Sequence, residues 1–370
     1  MTDPIPVAFY APLKSPDHPA PSGDRTMARL LLKALRAAGF EPCLASGLRS
    51  LDLRGEAVFQ SGLRAAAEAE ADRIASAFRG GRPDAPRLWF TYHNHYKAPD
   101  WIGPRVAGAL RLPYVVAEGS RAPKRASGPW ALGHAGAEAA LDRADLLLVM
   151  TDADRDALQR ALRPGQRLAD LPPFTDVEPP AESPFRAEDG PPRLLTVAMM
   201  RPGDKLASFR VLAEALARLR DWPWVLDIAG DGEARGEVES LFRPFGGRVA
   251  LHGRLDAAAL GAFYTRADLF LWPAVNEAYG MVLLEAQAHG CPVVAGRNGG
   301  VASVVRHGET GLLSPGRDAA AFADAVATLF GDAPLRRRLG AAARRFVRDE
   351  RGLAQAAGRL RGALLPLLRP

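Results

Sequence analysis

The chain has 370 residues, 48% hydrophobic and 24% charged, which predicts two domains of ordinary size and argues against long disorder. Its net charge of +6 favours anionic partners (nucleotide phosphates, acidic lipid headgroups or nucleic acid) without choosing among them. The start MTDPIPVAFYAPLK lacks the charged and apolar regions of a secretory signal, and no apolar run reaches the length of a membrane span, so a cytoplasmic protein is expected.

Short apolar runs alternate with amphipathic helical patterns, which predicts parallel sheets with helical crossovers, an α/β protein. In the first half, Pro6 to Tyr10 reads as a strand, followed by a loop and a helix from about Asp24 to Ala38. A long alanine-rich helix is predicted from about Gln60 to Phe78. Further strands are expected at Arg87–Tyr92, Pro113–Ala117 and Asp145–Val149. From Leu171 to Arg193 the pattern stops in a proline-rich, acidic segment that reads as an extended linker. A second series opens at Leu194–Ala198 and continues with strands at Trp224–Ala229, Arg248–Leu251, Asp268–Trp272 and Pro292–Ala295. One helical stretch, from about Pro334 to Leu368, closes the chain. Cys43 and Cys291 fall in different predicted domains and read as small buried hydrophobes, neither a disulfide nor a zinc framework.

The sharpest local feature is the segment Asn276 to Cys291, NEAYGMVLLEAQAHGC. A strand ends at Trp272, a short loop holds Glu277 and Gly280, and a helix starts near Met281. Gly280 lets backbone approach a ligand, and the first free N–H groups of the helix suit an anion. Glu277 and Glu285 could flank one phosphate-bearing ligand; taken alone, they better suit a solvated loop acid and an acid interacting with the helix dipole.

Glu277, Gly280, Glu285 and the following Gly-Cys-Pro-Val-Val resemble the retaining GT-B glycosyltransferases of family 4. Gly230 after a strand, the run Leu251-His252-Gly253-Arg254-Leu255, Gly299-Gly300, the segment Gly308 to Leu313, and Pro172 to Asp176 extend the likeness. In order and spacing it covers most of residues 194–315. The resemblance implies a GT-B fold: two Rossmann-like doubly wound domains facing a cleft. The first spans 1–173 and binds acceptor, with a C-terminal helix at about 346–370 packing back on it. A linker follows at 174–192, and a domain at 193–345 binds the nucleotide sugar.

By the same resemblance, Glu277 meets hydroxyls of the donor sugar and Glu285 those of the ribose. The N–H groups around Gly280, Met281 and Val282 meet the diphosphate, Tyr279 and Gly230 line the donor site, and Gly253, Arg254 and Leu255 lie near the base. Arg201 and Lys205 stand as diphosphate clamps, although Arg201 falls one position from the family's arginine, and Met199 and Leu206 replace its glycines. The implied reaction moves a sugar from a UDP- or GDP-linked donor to a glycan, lipid or small-molecule hydroxyl, with retention and with no metal or cofactor. An inactive sugar-nucleotide-binding protein and an epimerase on the same scaffold are the alternatives.

In the first half, Gly23 lets its loop approach donor or acceptor, with Ser22 or Asp24 capping the next helix. His93 and His95 follow a strand on one face. Such a pair can ligate zinc, but no third ligand stands out, and relatives carry a histidine there that contacts the donor sugar. Glu118 and Arg121 end the next strand and are assigned to acceptor binding. The basic stretch Arg121, Lys124, Arg125 with Trp130 suits acidic lipids at a membrane surface or plain solvent. His18, His289 and His307 read as structural. No nucleic acid is expected as a partner, and the chain is read as a monomer or homodimer.

Overall fold

A computed structural model describes residues 3–79, 82, 84–178 and 190–368. The central part of the proline-rich linker, residues 179–189, lies outside the described residues. The chain forms two compact units: one reaches to Pro172 and resumes at Leu353, and the other is Pro173–Gly352.

The first unit runs β1 (Ile5–Tyr10), α1 (Gly23–Ala37), β2 (Phe40–Leu44), α2 (Ala57–Phe78), β3 (Leu88–Asn94), α3 (Gly103–Leu110), β4 (Tyr114–Gly119), α4 (Ala131–Arg143), β5 (Leu146–Val149), α5 (Asp152–Arg160) and β6 (Arg167–Asp170). Its six strands are all parallel, in the order β2-β1-β3-β4-β5-β6. Central strands covered by helices on both faces need continuous apolar runs. All six residues of β4 and all four of β5 are accordingly buried. Helix α1 turns Met27, Leu30, Leu31, Ala34 and Leu35 inward at helical spacing, and Ser22, not Asp24, caps it by accepting the Arg25 N–H at 3.2 Å.

The second unit runs β7 (Arg193–Val197), α6 (Asp204–Arg218), β8 (Val225–Ala229), α7 (Arg235–Phe242), β9 (Val249–Leu251), α8 (Ala257–Arg266), β10 (Leu269–Trp272), α9 (Met281–Ala288), β11 (Val293–Arg297), β12 (Gly311–Pro315), α10 (Ala319–Gly331) and α11 (Ala333–Glu350). Its six parallel strands take the order β12-β11-β10-β7-β8-β9. From β7 the chain winds outward through β8 and β9, then returns to the other side of β7 with β10. That reversal defines a switch point between β7 and β10, outside whose carboxyl ends ligands bind in such sheets.

Three sequence expectations change. The predicted closing helix is two: α11 ends at Glu350, and α12 (Leu353–Leu364) belongs to the first unit, where the Arg361 guanidinium donates to Ala38 O at 2.9 Å. Strands β2, β6 and β12 were not predicted. β2 contains Pro42 and lies at a sheet edge, where a missing N–H is tolerated, and β6 is an edge strand with no buried residue. Cys291 is buried, but Cys43 is exposed, because the alternation of edge strand β2 turns Glu41 and Cys43 outward while Phe40 and Pro42 face in.

Candidate active site

In the second unit the carboxyl ends of β7, β8 and β9 are drawn together by backbone alone. The Gly230 N–H donates to Gly253 O at 2.8 Å, Ala198 N–H to Ala229 O at 3.1 Å, and Met200 N–H to Asp231 O at 2.9 Å. Gly230 is required: it holds φ +142°, and a Cβ there would stand 1.8 Å from Ala198 O.

At the switch point, Lys205 in the first turn of α6 reaches the loop after β10, and its Nζ donates to Glu277 Oε2 at 2.5 Å. Trp272 Nε1 donates to the same oxygen at 3.1 Å, and Lys205 Nζ lies 5.4 Å from the Trp272 ring centroid. The Glu277 carboxylate is thus held by two donors. The loop that carries it is strained, since Ala274 and Asn276 both take positive φ, +54° and +50°. The strain is held in place from α6: the Val275 N–H donates to Ser208 Oγ at 2.9 Å, and Asn276 Nδ2 to Asp204 Oδ2 at 2.8 Å. From the far side the Gly300 N–H donates to Ala278 O at 2.6 Å.

Gly280, at φ +77°, is the N-terminal cap of α9 and puts Met281 and Val282 in its first turn, where N–H groups lack helical partners. Tyr279 is buried at the same corner. Further along α9, Glu285 accepts a hydrogen bond from Tyr264 Oη of α8 at 2.9 Å. Burial pushes the Glu285 carboxyl above the usual range; the Tyr264 hydroxyl pulls it back in part, and Asp176 pushes it further up. His289 stacks on Tyr264 at 5.2 Å and directs Nδ1 to Glu285 O. Lys205 and Glu277 are therefore brought together, and Glu285 sits on the same helix that Gly280 opens. Arg201 stands in the turn before α6, exposed Arg254 and half-buried Leu255 in the loop before α8. Sequence reasoning did not find Trp272, Ser208 or Tyr264, whose only signal is an apolar strand or helix pattern.

The first unit gathers a different set. Strands β2 and β3 lie on opposite sides of β1, and the first turn of α1 and the end of β3 bring Asp24 and His93 together, Nδ1 to Oδ1 3.2 Å, with a Glu118 oxygen 3.8 Å from the same nitrogen. His93 and Glu118 both take positive φ, +64° and +56°, at adjacent strand ends. Burial alone would lower the His93 pKa, but Glu118 and Asp24 outweigh it and raise it to about 9. The Asp24 carboxyl, despite burial, is held low by His93 and Lys14, whereas burial drives Glu118 up against the pull of His93. The His95 ring lies 4.9 Å from that of His93, and burial together with the His93 charge takes its pKa down to about 3. His95 Nδ1 accepts the Lys97 N–H at 3.0 Å, so neutral His95 carries its proton on Nε2.

Arg121, read from sequence with the acceptor contacts, is directed elsewhere: its guanidinium pairs with Glu138 and, at 2.7 Å, with Asp142, both on α4. Gly23 opens α1 on the exposed surface, with open space where a Cβ would stand. His18 accepts the Ala20 N–H within its own loop, and His307 accepts that of Leu313, both structural roles. Among the described residues no group of three or more metal-ligating side chains occurs, and no helix is long and apolar enough to cross a membrane.

Two parallel, doubly wound sheets of these orders define the GT-B architecture of glycosyltransferases. Sucrose-phosphate synthase from Thermosynechococcus elongatus is similar over 98% of this chain and 99% of its own, with a TM-score of 0.75 at 21% identity. Anabaena HepE, solved in complex with UDP, is similar over 97% and 99%, with a TM-score of 0.72 at 16% identity. Residues 191–332, most of the second unit, match the family described as Glycosyl transferases group 1. Among curated relatives, the D-inositol 3-phosphate glycosyltransferase of Corynebacterium glutamicum (strain R) is 31% identical over 221 residues, 54% of this chain and 52% of that protein. Its Corynebacterium efficiens counterpart is 51% identical over 81 residues, 22% and 19% respectively. The chain thus spans about half the length, or less, of these curated relatives.

Proposed function

We propose that the protein is a glycosyltransferase that moves a sugar from a nucleoside diphosphate donor to a hydroxyl acceptor, with retention and without a metal. The observation that carries this reading is the Lys205–Glu277 pair at the β7/β10 switch point, beside the Gly280-capped start of α9. Diphosphate is a leaving group, and charge that develops on it needs preorganised positive partners. Lys205, Arg201 and the N–H groups of Met281 and Val282 supply them. Once Lys205 turns to the diphosphate, Glu277 is free to accept from sugar hydroxyls, and half-buried Glu285, its pKa raised, gains by accepting from ribose hydroxyls. In the transfer, the bond from the anomeric carbon to the diphosphate oxygen breaks, and the acceptor oxygen bonds that carbon from the same face. The acceptor proton passes to the departing phosphate, so no enzymic base is invoked. On the first unit, His95 carries a fixed neutral N–H that can donate to a hydroxyl. HepE was solved with UDP, which supports a UDP-linked donor here, with GDP-linked sugars as the comparison.

The test is donor hydrolysis by the purified chain over a panel of UDP- and GDP-linked sugars. Slow hydrolysis that disappears in Glu277→Ala is the expected result. Tight donor binding with no turnover in the wild type would instead assign an inactive sugar-nucleotide-binding protein, consistent with Met199 and Leu206 standing where relatives have glycines.

A further inference from the structure

The first unit carries a second charged group that this chemistry does not use. Beyond the end of β3 the rings of His95, Tyr96 and Trp130 follow one another, at 5.6 Å and then 5.9 Å, the second pair edge to face. Two cations share the Tyr96–Trp130 pair. Lys97 Nζ lies 5.8 Å from the Tyr96 centroid and 5.5 Å from that of Trp130, and the Arg125 guanidinium lies 5.3 Å from each. Aromatic faces attract cations but leave their charge in place. Among the described residues neither cation has a carboxylate partner, although two like charges on one ring pair repel each other. Trp130 Nε1, buried in the same cluster, also lacks an acceptor there. Half-buried Lys97 and exposed Arg125 thus share one ring pair without a carboxylate, and the buried Trp130 Nε1 is a donor without an acceptor, which is unusual.

The mount is rigid. Gln60 Nε2 donates to Asp52 Oδ2 and to Pro129 O, both at 2.8 Å, and Gln60 Oε1 accepts the Gly133 N–H at 3.0 Å, fixing the chain on either side of Trp130. A Cβ on Gly133 would stand 2.2 Å from Tyr96 O, so the Tyr96 backbone is seated against α4. Arg121, by contrast, is neutralised by Glu138 and Asp142 and drops out of the basic group.

We propose that Lys97 and Arg125, carried on the Tyr96–Trp130 ring pair, bind a phosphate group, and that the acceptor of the transfer bears it. The second clause rests on the glycosyltransferase reading; the first does not. A phosphate brings up to two charges and three acceptor oxygens, enough for an arginine fork, a lysine ammonium and the indole N–H together. The phosphate can belong to a soluble sugar phosphate or to a lipid headgroup. The lipid source is a real alternative because Leu53, Val58 and Phe59 are 66%, 88% and 50% exposed. Leu53 and the first turn of α2 flank Gly55, and a Cβ there would lie 3.3 Å from the Trp130 ring.

The experiment uses the full chain with two probes at fixed ionic strength: inorganic phosphate by calorimetry, and phosphatidylglycerol-containing against pure phosphatidylcholine vesicles by cosedimentation. Saturable phosphate binding is expected in the wild type. Lys97→Gln or Arg125→Gln should each weaken it about tenfold, and the double variant should abolish it. Arg125→Lys should restore part of it, and near-ultraviolet circular dichroism should show the fold retained. If only the anionic vesicles bind, and both cations are needed, the phosphate is a headgroup. Failure of the wild type to bind either probe, or a double variant that binds like the wild type, overturns the proposal. Donor hydrolysis in the same preparation separates the two readings. Hydrolysis without phosphate binding removes this site alone; phosphate binding without hydrolysis leaves the site and removes its acceptor role.

Discussion

Lys205 and Glu277 neutralise each other at 2.5 Å, so a diphosphate must take the ammonium from a carboxylate. Removing the lysine leaves Glu277 facing the donor's charge with only the Trp272 Nε1 hydrogen bond on its carboxylate. Lys205→Ala should therefore weaken binding of UDP or GDP by about 1.5–3 kcal/mol, the usual worth of a charge-assisted hydrogen bond, and hardly alter binding of the free nucleoside. Calorimetry compares the two, and equal losses would remove Lys205 from the phosphate site. In the first unit, despite burial, Glu118 and Asp24 raise the His93 pKa from the ordinary 6.5 to about 9 in the folded chain. Its contribution to stability is fully present below pH 6.5 and is lost as pH rises through 9. It amounts to at most about 3 kcal/mol, shared with Asp24 and Glu118. Denaturant midpoints of the wild type should fall between pH 6.5 and 9, and His93→Asn should flatten that slope. An unchanged slope in the variant would mean that His93 is not held as the imidazolium.

At the scale of elements, the donor-side floor depends on strand ends that approach too closely for side chains. A Cβ on Gly230 would meet Ala198 O at 1.8 Å, and one on Gly232 would meet Met200 O at 2.3 Å, both backbone atoms with no room to yield. Gly230→Ala should cost about 3 kcal/mol or more, from overlap together with strain at φ +142°. Gly236→Ala, in α7 with open space around it, should instead stabilise by about 0.5–1 kcal/mol. Thermal melts of both check the contrast, and a mild effect at Gly230 would mean that the seam between β7 and β8 can open. Legibility follows the same physics. Buried parallel strands such as β4, β5 and β10 showed plainly, because both faces must be apolar. β2 and β6 did not, because an edge strand is allowed Pro42 or exposed charges. The break between α11 and α12 was hidden because arginine and alanine continue across Arg351 and Gly352 without a proline stop.

At the scale of the whole chain, strand order turns scattered motifs into a site. Lys205 and Glu277 lie far apart in sequence, and their spacing cannot say that β7 and β10 are neighbours; the reversal of winding at that point does. The same limit concealed the Lys97–Arg125 pair, joined only when the loop after β3 meets the one before α4. Because the chain folds as two compact units, a single unfolding free energy does not describe it, and a ligand stabilises first the unit that holds it. A nucleoside diphosphate at a hundred times its Kd should add about 2.7 kcal/mol to the opening of the second unit. By hydrogen exchange this should appear as slowed amides in the turn leading into α6 and in the loop and helix from Ala274 to Glu285, with β3 and β4 unchanged. Slowing confined to residues 88–119 would move the nucleotide site to the first unit and undo the assignment of Glu277 and Glu285.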